Sequence, residues 1–156
     1  NIMPAAWHTP ISAQPPLYGV LISPKRYTHT LLNRKKGFTV NFLGRDFARL
    51  CADTGSTTGR HIDKLNTFKI EYEMGERVNG PILTQAYASY ECEHYAVHEL
   101  GDHFLFVGKI VILYVERDCL KEGNCMDPRQ IKPLLYFGKD RYITIDPNTL
   151  TIKSRQ

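Results

Sequence analysis

The chain has 156 residues, 42% hydrophobic and 23% charged, with a formal net charge of +4, proportions that fit one soluble globular domain with a core needing no staples. The mild positive charge favours an anionic ligand, and Lys and Arg spread along the chain, densest at Asn33–Arg34–Lys35–Lys36, argue against the clustered basic face of a nucleic-acid binder. Four irregularly spaced cysteines (Cys51, Cys92, Cys119, Cys125) without a C-x-x-C pair argue against a disulfide scaffold and a zinc ribbon.

The chain opens on Asn1–Ile2–Met3–Pro4–Ala5–Ala6–Trp7–His8–Thr9–Pro10, which reads as starting directly inside a strand. Small residues beside the single tryptophan would let a flat ligand lie against the backbone; a plain strand ending in a core tryptophan is the other reading. Leu17–Ile22 follows as a short buried strand between Pro15–Pro16 and Pro24. Ser23–Pro24–Lys25–Arg26–Tyr27–Thr28 then lies between that strand and a short helix. A helix N-terminus presents unpaired N–H groups, and Ser23, Lys25, Arg26 and Thr28 add hydroxyls and charge suited to a phosphate. Thr28 is expected to cap the helix and Gly37 to end it.

Phe38–Leu43 reads as a strand and Asp46–Ala52 as a helix closed by Gly55. The run from Thr54 to Lys64 frames hydroxyls, Thr58 among them, between Gly55 and Gly59 and ends in Arg60 and Lys64. Such a loop can approach a phosphate through its backbone, although it lacks the P-loop ending; read alone it is more often a flexible connection than a site. A helical turn at Asp63–Leu65 precedes a strand near Phe68–Glu73. Ala86–His98 and Phe104–Arg117, turned at Gly101–Asp102, form a long hairpin. Leu134–Phe137 and Tyr142–Ile145 form a second through Gly138–Lys139–Asp140.

His94, His98 and His103, with Glu91, Glu93, Glu99 and Asp102 close by, invite a metal reading. Even spacing in a strand puts His94 and His98 about 13 Å apart at roughly 3.3 Å per residue, too far for one ion without a bulge, so no metal is expected. His103, just past the turn, is better placed to point into a cleft. Many strands, few helices and no βαβ rhythm predict a mainly β, antiparallel barrel. No Gly-x-Gly-x-x-Gly occurs. The longest apolar run, near Phe104–Val115, is broken by Gly108 and Lys109; with no signal peptide either, the expectation is a cytoplasmic protein that does not cross a membrane.

Taken in order and spacing, Asn1-Ile-Met-Pro-Ala-Ala-Trp7, Pro15-Pro16, Ser23-Pro-Lys-Arg-Tyr-Thr28, Asn41, Thr58-Gly-Arg-His-Ile-Asp-Lys64 and Gly101-Asp-His-Phe-Leu-Phe-Val-Gly108 resemble the flavin reductase-like, FMN-binding split-barrel family of flavoredoxins and ferric and flavin reductases. The resemblance spans nearly the whole chain. It implies a single domain over 1–156 with a Greek-key split β-barrel, a few short helices and a first strand upstream of Asn1. It implies a homodimer with FMN in a groove at the interface. Asn1 belongs to the cofactor-binding set, and Ala5, Ala6, Trp7, His8 and Thr9 would face the isoalloxazine largely through backbone. Ser23, Lys25, Arg26 and Thr28, joined by Thr58, Gly59, Arg60 and Lys64, would hold the phosphate, and His103 would act near the flavin or nicotinamide. The activity implied is NADH- or NADPH-dependent reduction of flavin, ferric chelate or a similar acceptor. The alternatives are an electron carrier that keeps its FMN and serves a redox protein partner, and a flavin-binding module without turnover. Asp118–Asp127, with Cys119 and Cys125, receives no family role; the two thiols are expected to be dispensable.

Overall fold

A computed structural model describes residues 1–121 and 125–151 of the chain. Its centre is the long hairpin expected from the alternating sequence. Strands β6 (Ala86–Leu100) and β7 (His103–Val115), numbered here in chain order, close through Gly101, whose φ of +66° is one that glycine adopts without strain. Strand β1 (His8–Ala13) folds back on β2 (Pro16–Ile22), β2 pairs with β7, and β3 (Gly37–Leu43) pairs with β6. The five strands run in the order β1-β2-β7-β6-β3, with every pair antiparallel.

The edges β1 and β3 share no backbone bonds, yet they meet through side chains. His8 of β1 and Phe42 of β3 have ring centroids 6.1 Å apart, and Tyr18 lies 6.0 Å from Phe42. The sheet curls in the manner of a split barrel, its edges joined by aromatic packing and not by hydrogen bonds. Register shifts at Glu91/Cys92 and His94/Ala96 in β6 supply the bulges that such curling needs. Inside lie Tyr18, Val20, Ile22, Leu32, Phe38, Cys92 and Phe106. Gly108 is required here, because a Cβ would meet that of Cys92 at 2.6 Å and the Phe38 ring at 2.9 Å.

The remaining elements surround this sheet: α1 (Tyr27–Leu32), α2 (Ala48–Ser56), α3 (Lys64–Thr67), β4 (Tyr72–Met74), β5 (Pro81–Leu83), β8 (Leu120–Lys121), β9 (Cys125–Met126), α4 (Pro128–Ile131), β10 (Leu135–Tyr136) and β11 (Tyr142–Ile143). Glu91 of β6 is fully buried beneath the segment joining β4 to β5. Its carboxylate accepts the N–H groups of Glu76, Arg77 and Val78 and the Tyr114 hydroxyl. Burial pushes its carboxyl up, but the Tyr114 hydroxyl and the three backbone donors outweigh this and hold it below the usual value. Beside it Asn41 accepts from Ser89 and from the Leu83 amide, and donates to the Pro81 carbonyl.

Several local expectations need correcting. The opening segment is not a strand, since pairing begins at His8. Helix α1 ends at Leu32, so Gly37 opens β3 instead of closing the helix. Arg26, not Thr28, occupies the N-cap, and no side chain caps it. Gly55 lies inside α2, which follows a 3-10 turn at Arg45–Phe47. The strand near Phe68–Glu73 begins only at Tyr72, because Lys69 takes a φ of 51°. Arg117 leaves the long hairpin for a 3-10 turn. The second hairpin keeps only two residues per strand. The Gly123–Asn124 loop between Cys119 and Cys125 lies outside the described residues. No helix among the described residues is long and apolar enough to cross a membrane.

Candidate functional site

Three separate segments meet at the end of β2. The first is the stretch before β1, held to the sheet by the Leu21 amide donating to the Trp7 carbonyl at 2.9 Å. The second is Ser23–Thr28, where the chain leaves β2 and turns into α1. There the Arg26 amide donates to the Ser23 carbonyl, and the Lys25 amide lies 3.4 Å from Ser23 Oγ. The third is the loop from α2 to α3, where the Arg60 amide donates to Thr58 Oγ1 at 3.3 Å and Asp63 caps α3.

Their contacts knit the predicted residues together. Asn1 Nδ2 donates to Thr28 Oγ1 at 2.9 Å. The same asparagine lies so close over Gly59 that a Cβ there would overlap its side-chain oxygen. The Arg60 guanidinium sits 5.0 Å above the Tyr27 ring. Lys64 is buried, and its Nζ donates to the carbonyls of Ile2 at 3.0 Å and Thr54 at 2.6 Å. Thr54 is in the last turn of α2, where the helix dipole presents partial negative charge. Lys64 is thus fixed beneath the site, tying the N-terminal segment to α2. Burial pulls its ammonium down, and the Arg26 charge adds to that. Lys25, Arg26, Arg60 and Lys64 form no ion pair among the described residues.

That imbalance decides what the site can hold. Cations gathered with no ion-pair partner among the described residues repel one another, and a bound phosphate relieves the repulsion and uses the hydroxyls and amides around it. The residues therefore fit the phosphate of a mononucleotide such as FMN.

Trp7, His8 and Thr9 lead away from this pocket along β1. Ala5 is half-buried, while Ala6, Trp7, His8 and Thr9 are exposed. The His8 ring turns inward, its Nδ1 2.5 Å from the Tyr18 hydroxyl. Burial lowers the His8 pKa, and burial first, then Tyr90, Cys92 and Tyr87, pushes the Tyr18 hydroxyl up to about 12. His103 starts β7 beside the same segment. Its ring centroid is 4.6 Å from that of Trp7, and its Nδ1 is 2.7 Å from Asp102 Oδ1. The Lys25 charge bears on Asp102, which links the His103 turn to the cationic segment after β2. Sequence reading missed Tyr18, Tyr27 and the Ile2 and Thr54 carbonyls. Only Tyr27, inside the cationic motif, carried a signal that could have pointed to it.

Comparison with known proteins follows the same outline. Residues 1–145 match the flavin reductase like domain. A crystal structure of an FMN-binding protein from Thermus thermophilus with bound 1-cyclohex-2-enone is 40% identical, covering 96% of this chain and 81% of that one at a TM-score of 0.86. A flavoredoxin from Methanosarcina acetivorans is 27% identical over 94% of this chain and 77% of its own, with a TM-score of 0.85. An NADH-dependent FAD reductase from Streptomyces globisporus is 30% identical over 112 residues, 70% of this chain and 59% of its own length. The chain likewise spans 71% of a Pyrococcus abyssi relative and 52% of one from Aeropyrum pernix.

Proposed function

This chain belongs to the flavin reductase-like domain family, and from that premise we propose that it is an FMN-binding oxidoreductase reduced by NADH or NADPH. The observation that carries the reading is that Arg26, Lys64, Lys25 and Arg60, brought to one end of β2, form no ion pair among the described residues, with burial first and the Arg26 charge second lowering the Lys64 pKa. Ser23, Thr28, Thr58 and the backbone at Gly59 complete the phosphate cradle. Asn1 braces it through Thr28, and Lys64 holds Ile2 and Thr54 at its floor. Ala5 to Thr9 offer backbone to the flat ring system. When bound, FMN supplies a two-electron hydride acceptor that can pass electrons on singly or in pairs. The protein's own residues fix its orientation and admit the second substrate, with His103 at the open end to bond a carboxamide or pass a proton.

The acceptor class proposed is a flavin, a ferric chelate or a small ring carbonyl. The last is supported by the Thermus protein, seen with 1-cyclohex-2-enone and with p-hydroxybenzaldehyde. The working unit proposed is a homodimer. Trp7, Ile11, Tyr95, Val97 and Leu100 remain exposed, apolar area that a second copy would cover. A second reading, an electron carrier with permanently held FMN, draws support from the flavoredoxin likeness. Denaturing the purified protein and identifying the released chromophore tests the cofactor; a colourless chain that neither FMN nor FAD restores would sink the proposal. Anaerobic rapid mixing with NADH and NADPH then separates the two readings. A reductase is bleached by at least one of them within its turnover time, whereas a carrier waits for a protein donor.

A further inference from the structure

We propose that the cavity between the Arg45 turn and helix α4 is a second anion site, built for a small phosphate ester that carries a hydroxyl group. It lies apart from the flavin cradle and does not depend on the flavin reading.

Its walls come from three parts of the chain. Arg45 and Asp46 lie in the 3-10 turn after β3, Arg129 and Lys132 in α4 and at its end, and Gln85 and Tyr87 where β6 begins. Together they line a cavity of about 280 Å³, at the small end of the range for ligand sites. Backbone bonds hold two of the walls in place. The Arg45 amide donates to the Lys132 carbonyl at 2.9 Å and the Leu134 amide to the Leu43 carbonyl at 3.1 Å, while Gly44 bridges to Pro133. Leu100, which pairs with His103, stands at the opposite end of β6 from Tyr87. None of the lining residues belongs to the exposed apolar group that a second copy is proposed to cover.

Three observations point to an anion that also brings a hydrogen-bond donor. The first is charge. Arg45, Arg129 and Lys132 face one carboxylate, Asp46, and none of the four forms an ion pair among the described residues. The excess positive charge suits a phosphate group, whose oxygens match guanidinium donors. The second is backbone strain. Lys132 ends α4 at a φ of 35° and a ψ of 61°, a left-handed conformation that glycine adopts far more readily than lysine. Keeping a lysine there costs stability and holds a cation at the cavity, as strain retained at a ligand site does. The third is an open acceptor. Gln85 Oε1 is buried and has no hydrogen-bond partner among the described residues. A buried acceptor left unmade is costly. An ionised phosphate group only accepts, so the group that satisfies Gln85 is a hydroxyl elsewhere on the ligand.

Two phosphate esters with the same carbon chain test the idea: glycerol 3-phosphate, which carries free hydroxyls, and propyl phosphate, which carries none. Each is titrated by calorimetry into the full FMN-loaded chain, whose flavin cradle is then occupied, at fixed ionic strength. Both should bind, glycerol 3-phosphate about fivefold more tightly, the worth of one neutral hydrogen bond. Arg45→Ala and Arg129→Ala should each weaken both esters about tenfold, the lower end for a charge-assisted bond at an exposed group. Gln85→Leu should leave propyl phosphate as it was and erase the preference. That variant should melt no lower than the parent chain, since it removes an acceptor that no group satisfies. Lys132→Gly should weaken both esters and also melt no lower, because glycine takes the left-handed backbone without strain.

Absence of saturable binding, or binding that Arg45→Ala and Arg129→Ala leave unchanged, overturns the site. A preference that survives Gln85→Leu overturns the hydroxyl contact. A clear fall in the melting temperature of Lys132→Gly overturns the role given to its strain. Failure of the flavin reading shows separately, as absence of chromophore. The flavin-free chain then leaves both cationic groups open, and glycerol 3-phosphate binding should fall in Arg45→Ala and persist in Arg26→Ala; the reverse pattern refutes the second site.

Discussion

Arg26→Ala isolates the phosphate-binding role from the fold. Arg26 stands at the N-cap of α1 in extended conformation, makes no side-chain cap bond and forms no ion pair among the described residues. Its removal should leave the melting temperature nearly unchanged. Toward a phosphate it would give a charge-assisted hydrogen bond, about 1.5–3 kcal/mol in general. Arg26 is exposed and its charge is screened by salt, so the lower end applies, about tenfold in the FMN dissociation constant. Titrating the flavin-free variant with FMN and with riboflavin, by flavin fluorescence at fixed ionic strength, separates the terms. Riboflavin has no phosphate and should bind the variant and the parent chain alike. Equal weakening of both flavins, or a large drop in melting temperature, would refute the reasoning and make Arg26 a structural residue.

Gly59→Ala should displace the Asn1 side chain, which a Cβ there overlaps, and so break the Asn1–Thr28 bond; FMN should bind several-fold more weakly (about 1 kcal/mol, one hydrogen bond) with little change in melting, as a paired titration and thermal scan will read. Glu91→Gln should cost roughly 2–3 kcal/mol of stability by replacing a charged acceptor of three amides with a group that brings its own N–H, about 5–10 °C in melting temperature for a domain of this size. Because the folded-state Glu91 pKa lies below its unfolded value, its stabilisation is complete above the unfolded value and disappears as pH falls through the folded one. Melts taken across the acid range should therefore show a loss in the parent chain that is reduced in Glu91→Gln. Sedimentation at micromolar concentration should give a dimer, and a purely monomeric boundary would count against the proposed interface.

The long hairpin was legible because alternation and a Gly-Asp turn act locally: the strand period is two and the turn needs one residue at positive φ. The two cationic motifs were legible for a similar reason, since charge and hydroxyl groups close in sequence remain close in space. Helix ends were less so. Gly37 and Thr28 looked like stop and cap, but Gly37 is drawn into β3, where a Cβ would meet the Cys92 carbonyl oxygen, and Thr28 instead serves Asn1. Tertiary pairing outweighed a propensity worth about 1 kcal/mol or less.

Family, strand content and the residue types of the proposed phosphate cradle were determined by the sequence by itself, because each depends on patterns within a few residues. What only the tertiary structure decided was how distant groups spend their polar capacity. Lys64 looked like a free phosphate ligand, but its ammonium is fixed on the Ile2 carbonyl, 62 residues away, and on Thr54. In the sequence Glu91 stands out only as a carboxylate near the histidines, but the segment between β4 and β5 covers it and supplies three amides to it. His103 and Trp7 are 96 positions apart in number and meet only because β1, β2 and β7 lie side by side. A buried ionic or polar group must find partners wherever the chain brings them, and that choice is made by packing, which no local pattern encodes.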